Sequence, residues 1–273
     1  MKRMVGMLIL AIAGGCASGK LSESQEYYVG RAMAAQSVSE CRGIYSDEHL
    51  HEYLAKVGWT VALASDRPDT FLGYNFLVLD SDEVGAWAAP SGFVFVTTAC
   101  LKAMQNEDQL AAVLAHEIAH VNLKHPEEVA HDGAKKAGVM DLLAAGGAIL
   151  AALKPEAAED IGKLVEGLTG CVGDLMDRAN SGYSREYELA ADRGAVDFLT
   201  RSEVRYNPFA LADFLALLPQ KSGKSASGPY ATHPGIQERI DAARQAAQEK
   251  GIKASIDPAR TQRFRAALGR LGS

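Results

Sequence analysis

Leu114-Ala115-His116-Glu117-Ile118-Ala119-His120 is the stretch on which the reading of this 273-residue chain turns. Four residues of α-helix return nearly to the same face, so His116 and His120 can aim imidazole nitrogens at one ion. Glu117 lies one step from the first histidine, where its carboxylate takes a proton from an activated water instead of binding the ion. Zinc suits this arrangement, since it polarises a peptide carbonyl and acidifies water without redox chemistry. A bare match to this pattern arises by chance, so its setting matters. Asn106 and Gln109 form a capping box at the helix start. Leu110, Val113, Leu114, Ile118 and Val121 give it an apolar stripe, with Ala111, Ala112, Ala115 and Ala119 beside them. The helix is predicted to end near His125, before Pro126. The competing reading is a buried helix with two hydrogen-bonded histidines, whose polar groups would then need other partners.

Two histidines leave one protein ligand to find. Glu188 is the candidate, with Asp192 one helical turn further along the same face. Asp192 is placed to accept a proton from the far nitrogen of a ligating imidazole and so to set its tautomer. Glu186, two residues from Glu188, points elsewhere.

Working outward, the periodicity predicts a helical region over 23–57, broken near 41–46, with Tyr45, Leu50, Tyr53, Leu54 and Val57 at three-or-four-residue spacing. His49 and His51 do not share a helix face and read as surface residues. Apolar β-forming runs at 59–64 and 72–79 flank a turn at Arg67, Pro68 and Asp69. Two further strands, 84–88 and 93–97, flank Ala89, Pro90, Ser91 and Gly92. Phe93, Phe95 and Thr97 should face one side of the sheet, and Val94, Val96 and Thr98 the other. Beyond Thr98 the pattern is mostly helical: 129–153, a short amphipathic piece around 161–168, 185–201 after a break at 180–182, 207 to just before Pro219, and 233–250. A Ser/Gly/Lys-rich loop occupies 220–231, and 260–271 has weaker helical character. Residues 137–153 carry a single charge, Asp141. They read as a buried or groove-covering hairpin, with a membrane-inserted segment as the alternative. The fold class is α+β, mostly helical, with a small sheet ahead of the histidine helix.

Composition sets the outer bounds. A chain that is 48% hydrophobic and 23% charged, with 26 Gly and 9 Pro, is globular and long enough for a sizeable core. The net charge of −6 and the lack of a basic block argue against nucleic acid as a partner. Lys2 and Arg3, a short apolar run and the small residues Ala13, Gly14 and Gly15 precede Cys16, which is the character of a secretory signal. The cysteine after small residues resembles a bacterial lipobox, with Cys16 as the lipidated residue. Ordinary secretion with cleavage near Ala17 is the alternative. Without residues 1–15 the chain holds 26 basic and 34 acidic side chains, a net −8. Cys41, Cys100 and Cys171 then remain, and the spacing leaves open which pair, if any, forms a disulfide.

Four elements in order resemble the M48 family of zinc endopeptidases. The active helix is matched by His116, Glu117 and His120, with Val121 and His125 resembling its continuation. Glu188, Ala191 and Asp192 match a second element, and Thr232, His233, Pro234, Arg239 and Ile240 a third. The strand-turn-strand ahead of the helix matches through Ala86, Trp87, Ala88, Pro90, Gly92, Phe93 and Val96. The resemblance covers about residues 70–245 and implies a zincin-like domain holding one Zn2+ per chain on His116, His120 and Glu188, with Glu117 as general base. It further implies that Arg239 steadies the oxyanion and that His233 approaches the metal to keep the enzyme latent. The strand at Gly85, Ala86, Trp87 and Ala88 would receive extended polypeptide substrates by β-augmentation. Ser91 stands where the family commonly has Gly, and Gly85 where it often has Asn. The organisation expected is a signal peptide at 1–15, a lipid-anchored tether at 16–30, the metallopeptidase domain at 31–252 and a tail at 253–273. The cell envelope, on the periplasmic side of the outer membrane, is the expected location, with membrane association through Cys16. Unfolded or misassembled envelope proteins are the expected substrates, with other envelope proteins as partners. A zinc-bound assembly factor that rarely cuts is the alternative function. No 34-residue repeat is visible.

Overall fold

A computed structural model describes residues 22–129, 183–221, 235–269 and 271. Helix α1 (Glu23–Glu40) lies before α2 (Glu48–Ala62), which the Asp47 side chain caps by accepting from the Leu50 amide at 3.2 Å. Leu50, Leu54, Val57 and Val61 of α2 are buried in the main core. Residues 59–62 therefore belong to α2 and not to the first of the expected strands: their spacing continues the helical stripe, so their β-forming composition yields to packing. Gly58 on this face lets α2 approach the sheet, since a Cβ there would lie 2.5 Å from the Phe76 ring.

The sheet has three strands in the order β1-β3-β2, with β1 (Asn75–Leu79) parallel and β2 (Ala86–Ala89) antiparallel to the central β3 (Phe93–Thr97). β1 begins later than expected because Leu72 and Gly73 adopt left-handed backbone conformations, φ 64° and 79°, and turn the chain. The two faces of β3 divide as the alternation predicts. Val94 and Val96 enter the main core, whereas Phe93 and Phe95 pack with Val29, Met33 and Trp87 against α1. Thr98 leaves the strand as the first residue of α3 (Thr98–Ala103), capped by Thr97. In the turn between β2 and β3, Ser91 sits at φ 63°, which explains the glycine usual in the family; a side chain there costs roughly 1–2 kcal/mol. Gly30 brings α1 against this turn, where a Cβ would meet the Pro90 carbonyl oxygen at 2.2 Å.

Helix α4 (Glu107–Asn122) runs through the middle of the molecule, nearly every residue buried. Its capping box is displaced by one residue. Asn106 accepts from the Gln109 amide at 3.0 Å, while the Gln109 side chain accepts from Gln105 at 2.8 Å instead of from Asn106. Against α4 pack α5 (Arg185–Arg201), α6 (Ala210–Lys221) and, beyond α7 (Ile236–Glu249), which lies on α5 and α6, α8 (Pro258–Leu268). α6 continues two residues beyond Pro219, which has no amide to give the residue 215 carbonyl. α8 docks by burying Phe264 and by Arg263 binding Glu107 at 2.7 Å. No helix among the described residues is long and apolar enough to cross a membrane. Cys41 and Cys100 are free thiols. Cys16, Cys171, His233 and the segments 137–153, 161–168 and 180–182 lie outside the described residues.

Glu127 is a local exception to good burial. It is 6% exposed, and neither carboxylate oxygen has a hydrogen-bond partner among the described residues. Burial, reinforced by Glu26, raises its pKa to about 7 despite Arg67 and Lys124. A carboxyl whose folded pKa lies above its unfolded value stabilises the fold relative to high pH only below the unfolded value. That contribution is lost as pH rises from about 4.5 through 7. Glu127→Gln is therefore expected to gain on wild type by roughly 2–3 kcal/mol between pH 4 and pH 8, read from urea unfolding at both values.

Candidate active site

The site forms where α4 and α5 cross at close range. Gly194 of α5 lies over Ala119, and a Cβ at Gly194 would sit 3.0 Å from the Ala119 methyl. This approach carries Glu188 to the histidines. His116 Nε2 and His120 Nε2 are 3.1 Å apart, and Glu188 reaches them at 3.5 Å through Oε2 and 3.8 Å through Oε1. All three ligand atoms lie within 4.8 Å of one another, and all three residues are buried. Tetrahedral ligands at zinc distances stand about 3.3 Å apart, so this donor set fits one such ion. Gly194→Val is expected to push α5 away from α4 and to weaken zinc binding at least about tenfold. Competition with a chromophoric chelator reads that loss directly.

Asp192, fully buried, stands 2.9 Å from His116 Nδ1. Arg239 of α7 binds the same carboxylate twice, Nε to Oδ2 at 2.8 Å and Nη2 to Oδ1 at 2.7 Å, and reaches Glu188 Oε2 through Nη1 at 2.7 Å. Glu188 Oε1 also accepts from the Tyr183 amide at 2.9 Å. On the other side, His125 Nδ1 lies 2.9 Å from His120 Nδ1. Tyr183 stacks on His120 with centroids 4.4 Å apart.

Burial works against charge on His116, yet Asp192 and Glu188 outweigh it and lift the group to about 9. Burial would raise Asp192, but Arg239 and His116 more than reverse this and hold it below the usual carboxylate range. Burial and the neighbouring His116 keep His120 neutral, and burial lowers His125 to about 4. The carboxylates of Glu188 and Asp192 face the single guanidinium of Arg239, so once His116 gives up its proton the site carries an excess of negative charge that suits a divalent cation.

The fold thus brings together His116, His120, Glu188, Asp192 and Arg239, whereas Glu186 is exposed. Glu117 is buried on the same helix, on the side where its charge reaches Cys100 at the end of the sheet. Gly85 precedes β2, its amide donating to Thr97 Oγ1 at 3.1 Å and its carbonyl accepting from the Thr97 amide at 2.9 Å. Ala86, Trp87 and Ala88 lie in β2, the outer strand beyond β3. Tyr183 and Tyr187 escaped the sequence reading, and His125 entered it only as a motif continuation. A histidine five residues after His120, just past a helix end, was the signal available.

A helix bearing His-Glu-x-x-His, met by a glutamate from a second helix with an aspartate one turn on, defines the zinc metallopeptidase class. The family model described as Peptidase family M48 matches residues 48–247, and the chain belongs to that family. It is 29% identical over 241 residues to the beta-barrel assembly-enhancing protease of Escherichia coli (strain K12), covering 86% of this chain and 46% of that protein. To the metalloprotease LoiP of the same organism it is 25% identical over 263 residues, covering 92% of this chain and 98% of the other. A further similarity, 25% over 165 residues, is to the metalloprotease YcaL, covering 60% of this chain and 59% of that protein. The chain spans about half the length of the assembly-enhancing proteases it matches.

Proposed function

We propose that this protein is a zinc-dependent endopeptidase that hydrolyses peptide bonds of unfolded or misassembled envelope proteins. The observation that carries the reading is the convergence of His116, His120 and Glu188 within 4.8 Å, the two histidines on a helix that also carries Glu117. Bound zinc, one per chain, supplies the Lewis acidity that polarises the scissile carbonyl and makes water nucleophilic. Glu117 takes the proton of the attacking water and passes it to the leaving amine. Arg239 holds Glu188 and Asp192 in place and adds positive potential where the oxyanion develops. Asp192 fixes the tautomer of His116. An extended substrate pairs with the outer edge of the strand around Gly85, Ala86, Trp87 and Ala88, so that backbone is read before side chains. His233 keeps the site latent until substrate arrives.

The chain is organised as a signal peptide at 1–15, a tether at 16–30, the peptidase domain at 31–252 and a tail at 253–273. Lipidation of Cys16 holds the domain on the periplasmic side of the outer membrane. Support for the location and substrate class comes from the leader-like first residues and from the names of the relatives, one a beta-barrel assembly-enhancing protease.

The test is a zinc titration of chelator-stripped protein alongside cleavage of an unfolded casein. One equivalent of zinc restoring cleavage is the expected result. Zinc bound with no bond cut, in wild type and in His233→Ala alike, would overturn the enzymatic reading and leave a zinc-bound assembly factor.

A further inference from the structure

We propose that His125 is a positioning residue for the metal centre: it accepts the Nδ1 proton of His120 and so commits His120 to offering its Nε2 lone pair to the cation. The inference rests on the metal-centre reading of His116, His120 and Glu188, and does not depend on peptide hydrolysis.

The two Nδ1 atoms are 2.9 Å apart, a contact that is a hydrogen bond only when one ring donates and the other accepts. The opposite nitrogen of His120 faces His116 Nε2 at 3.1 Å and Glu188 Oε1 at 3.8 Å. A lone pair is needed there, so the proton of His120 belongs on Nδ1, and His125 Nδ1 is the acceptor. The reverse assignment would aim an N–H of His120 into the ligand cluster and block it.

The position of His125 is set from two sides. After α4 ends, Lys124 adopts φ 60° and turns the chain back, which brings His125 under His120. The ring then lies face to face with Tyr187 of α5, centroids 4.0 Å apart at 5°, and the residue is 5% exposed. The Tyr187 hydroxyl donates to Glu128, which fixes the stacking partner in turn. Helix α5 thereby supports both histidines, His116 through Asp192 and His120 through Tyr187 and His125. The two supports differ in chemistry. A neutral imidazole sets the tautomer of His120 without adding another negative charge to a site that already holds Glu117, Glu188 and Asp192.

His125→Phe keeps a flat ring for Tyr187 and removes the acceptor, whereas His125→Asn restores an acceptor oxygen near the same place. Zinc affinity is measured by chelator competition, with the d–d spectrum of the cobalt-substituted protein as a second readout and metal-free melting as the control for folding. The phenylalanine variant is expected to bind zinc about 10- to 100-fold more weakly with unchanged metal-free melting. The asparagine variant is expected to stay within about threefold of wild type. Wild-type affinity and an unaltered cobalt spectrum in His125→Phe would overturn the proposal, as would a loss in His125→Asn as large as or larger than that in His125→Phe, since the acceptor would then not account for the effect. Should His125→Phe fail to fold, nitrogen NMR of metal-free wild type decides: a proton on His120 Nδ1 supports the role, and one on Nε2 overturns it. Wild-type protein that binds no zinc would overturn the metal centre itself, a different result from a variant that binds normally.

Discussion

Glu117→Gln is expected to lower the rate of peptide-bond cleavage by about 10²- to 10⁴-fold while zinc affinity stays within a few-fold of wild type. Glutamine matches the carboxylate in shape but cannot take the proton of the attacking water. The ligand atoms belong to His116, His120 and Glu188, so the cation should remain. Glu117 is also 4% exposed, and exchanging a buried carboxylate for an amide adds no desolvated charge. The variant should therefore melt no lower than wild type. A single-turnover assay on unfolded substrate, run beside a zinc titration, separates the two effects. Cleavage at the wild-type rate would remove Glu117 from the mechanism.

Arg239→Met is expected to cost about 3–5 kcal/mol of stability in the presence of chelator. Arg239 is 3% exposed and binds Asp192 at 2.7 and 2.8 Å and Glu188 at 2.7 Å, so its removal leaves two buried carboxylates without their main counter-charge. Methionine fills similar space, so the loss reports charge more than a cavity. Zinc should narrow the difference from wild type, because a divalent cation beside Glu188 takes over part of the compensation. Urea unfolding of both proteins, with chelator and with excess zinc, measures the two differences. An equal difference in both conditions would mean that these carboxylates do not sense the metal.

Each element that was legible beforehand has a local cause. α5 was readable over its whole length because Ser184 caps it and Glu188, Ala191, Asp192 and Ala195 recur on one buried face. The two faces of β3 were readable from strict alternation. Misreadings fell where local preference and packing disagree. Residues 59–62 look like a strand by composition, but they finish the α2 stripe that closes over Phe76. Arg239 was placed by family likeness beside the oxyanion; what it grips, a pair of carboxylates on α5, was not visible in that likeness. His125 carries no helical spacing to His120, and only the turn at Lys124 makes the two rings meet.

By itself the sequence determined the pairing of His116 with His120 and of Glu188 with Asp192, because helical periodicity ties residues four apart to one face whatever surrounds the helix. Tertiary structure alone decided that these two faces meet. His116 and Glu188 are separated by 72 residues of chain, and no local rule sets the distance between their helices. That distance comes from packing, above all from Gly194 against Ala119, which lets α4 and α5 approach until a carboxylate and two imidazoles share one point in space.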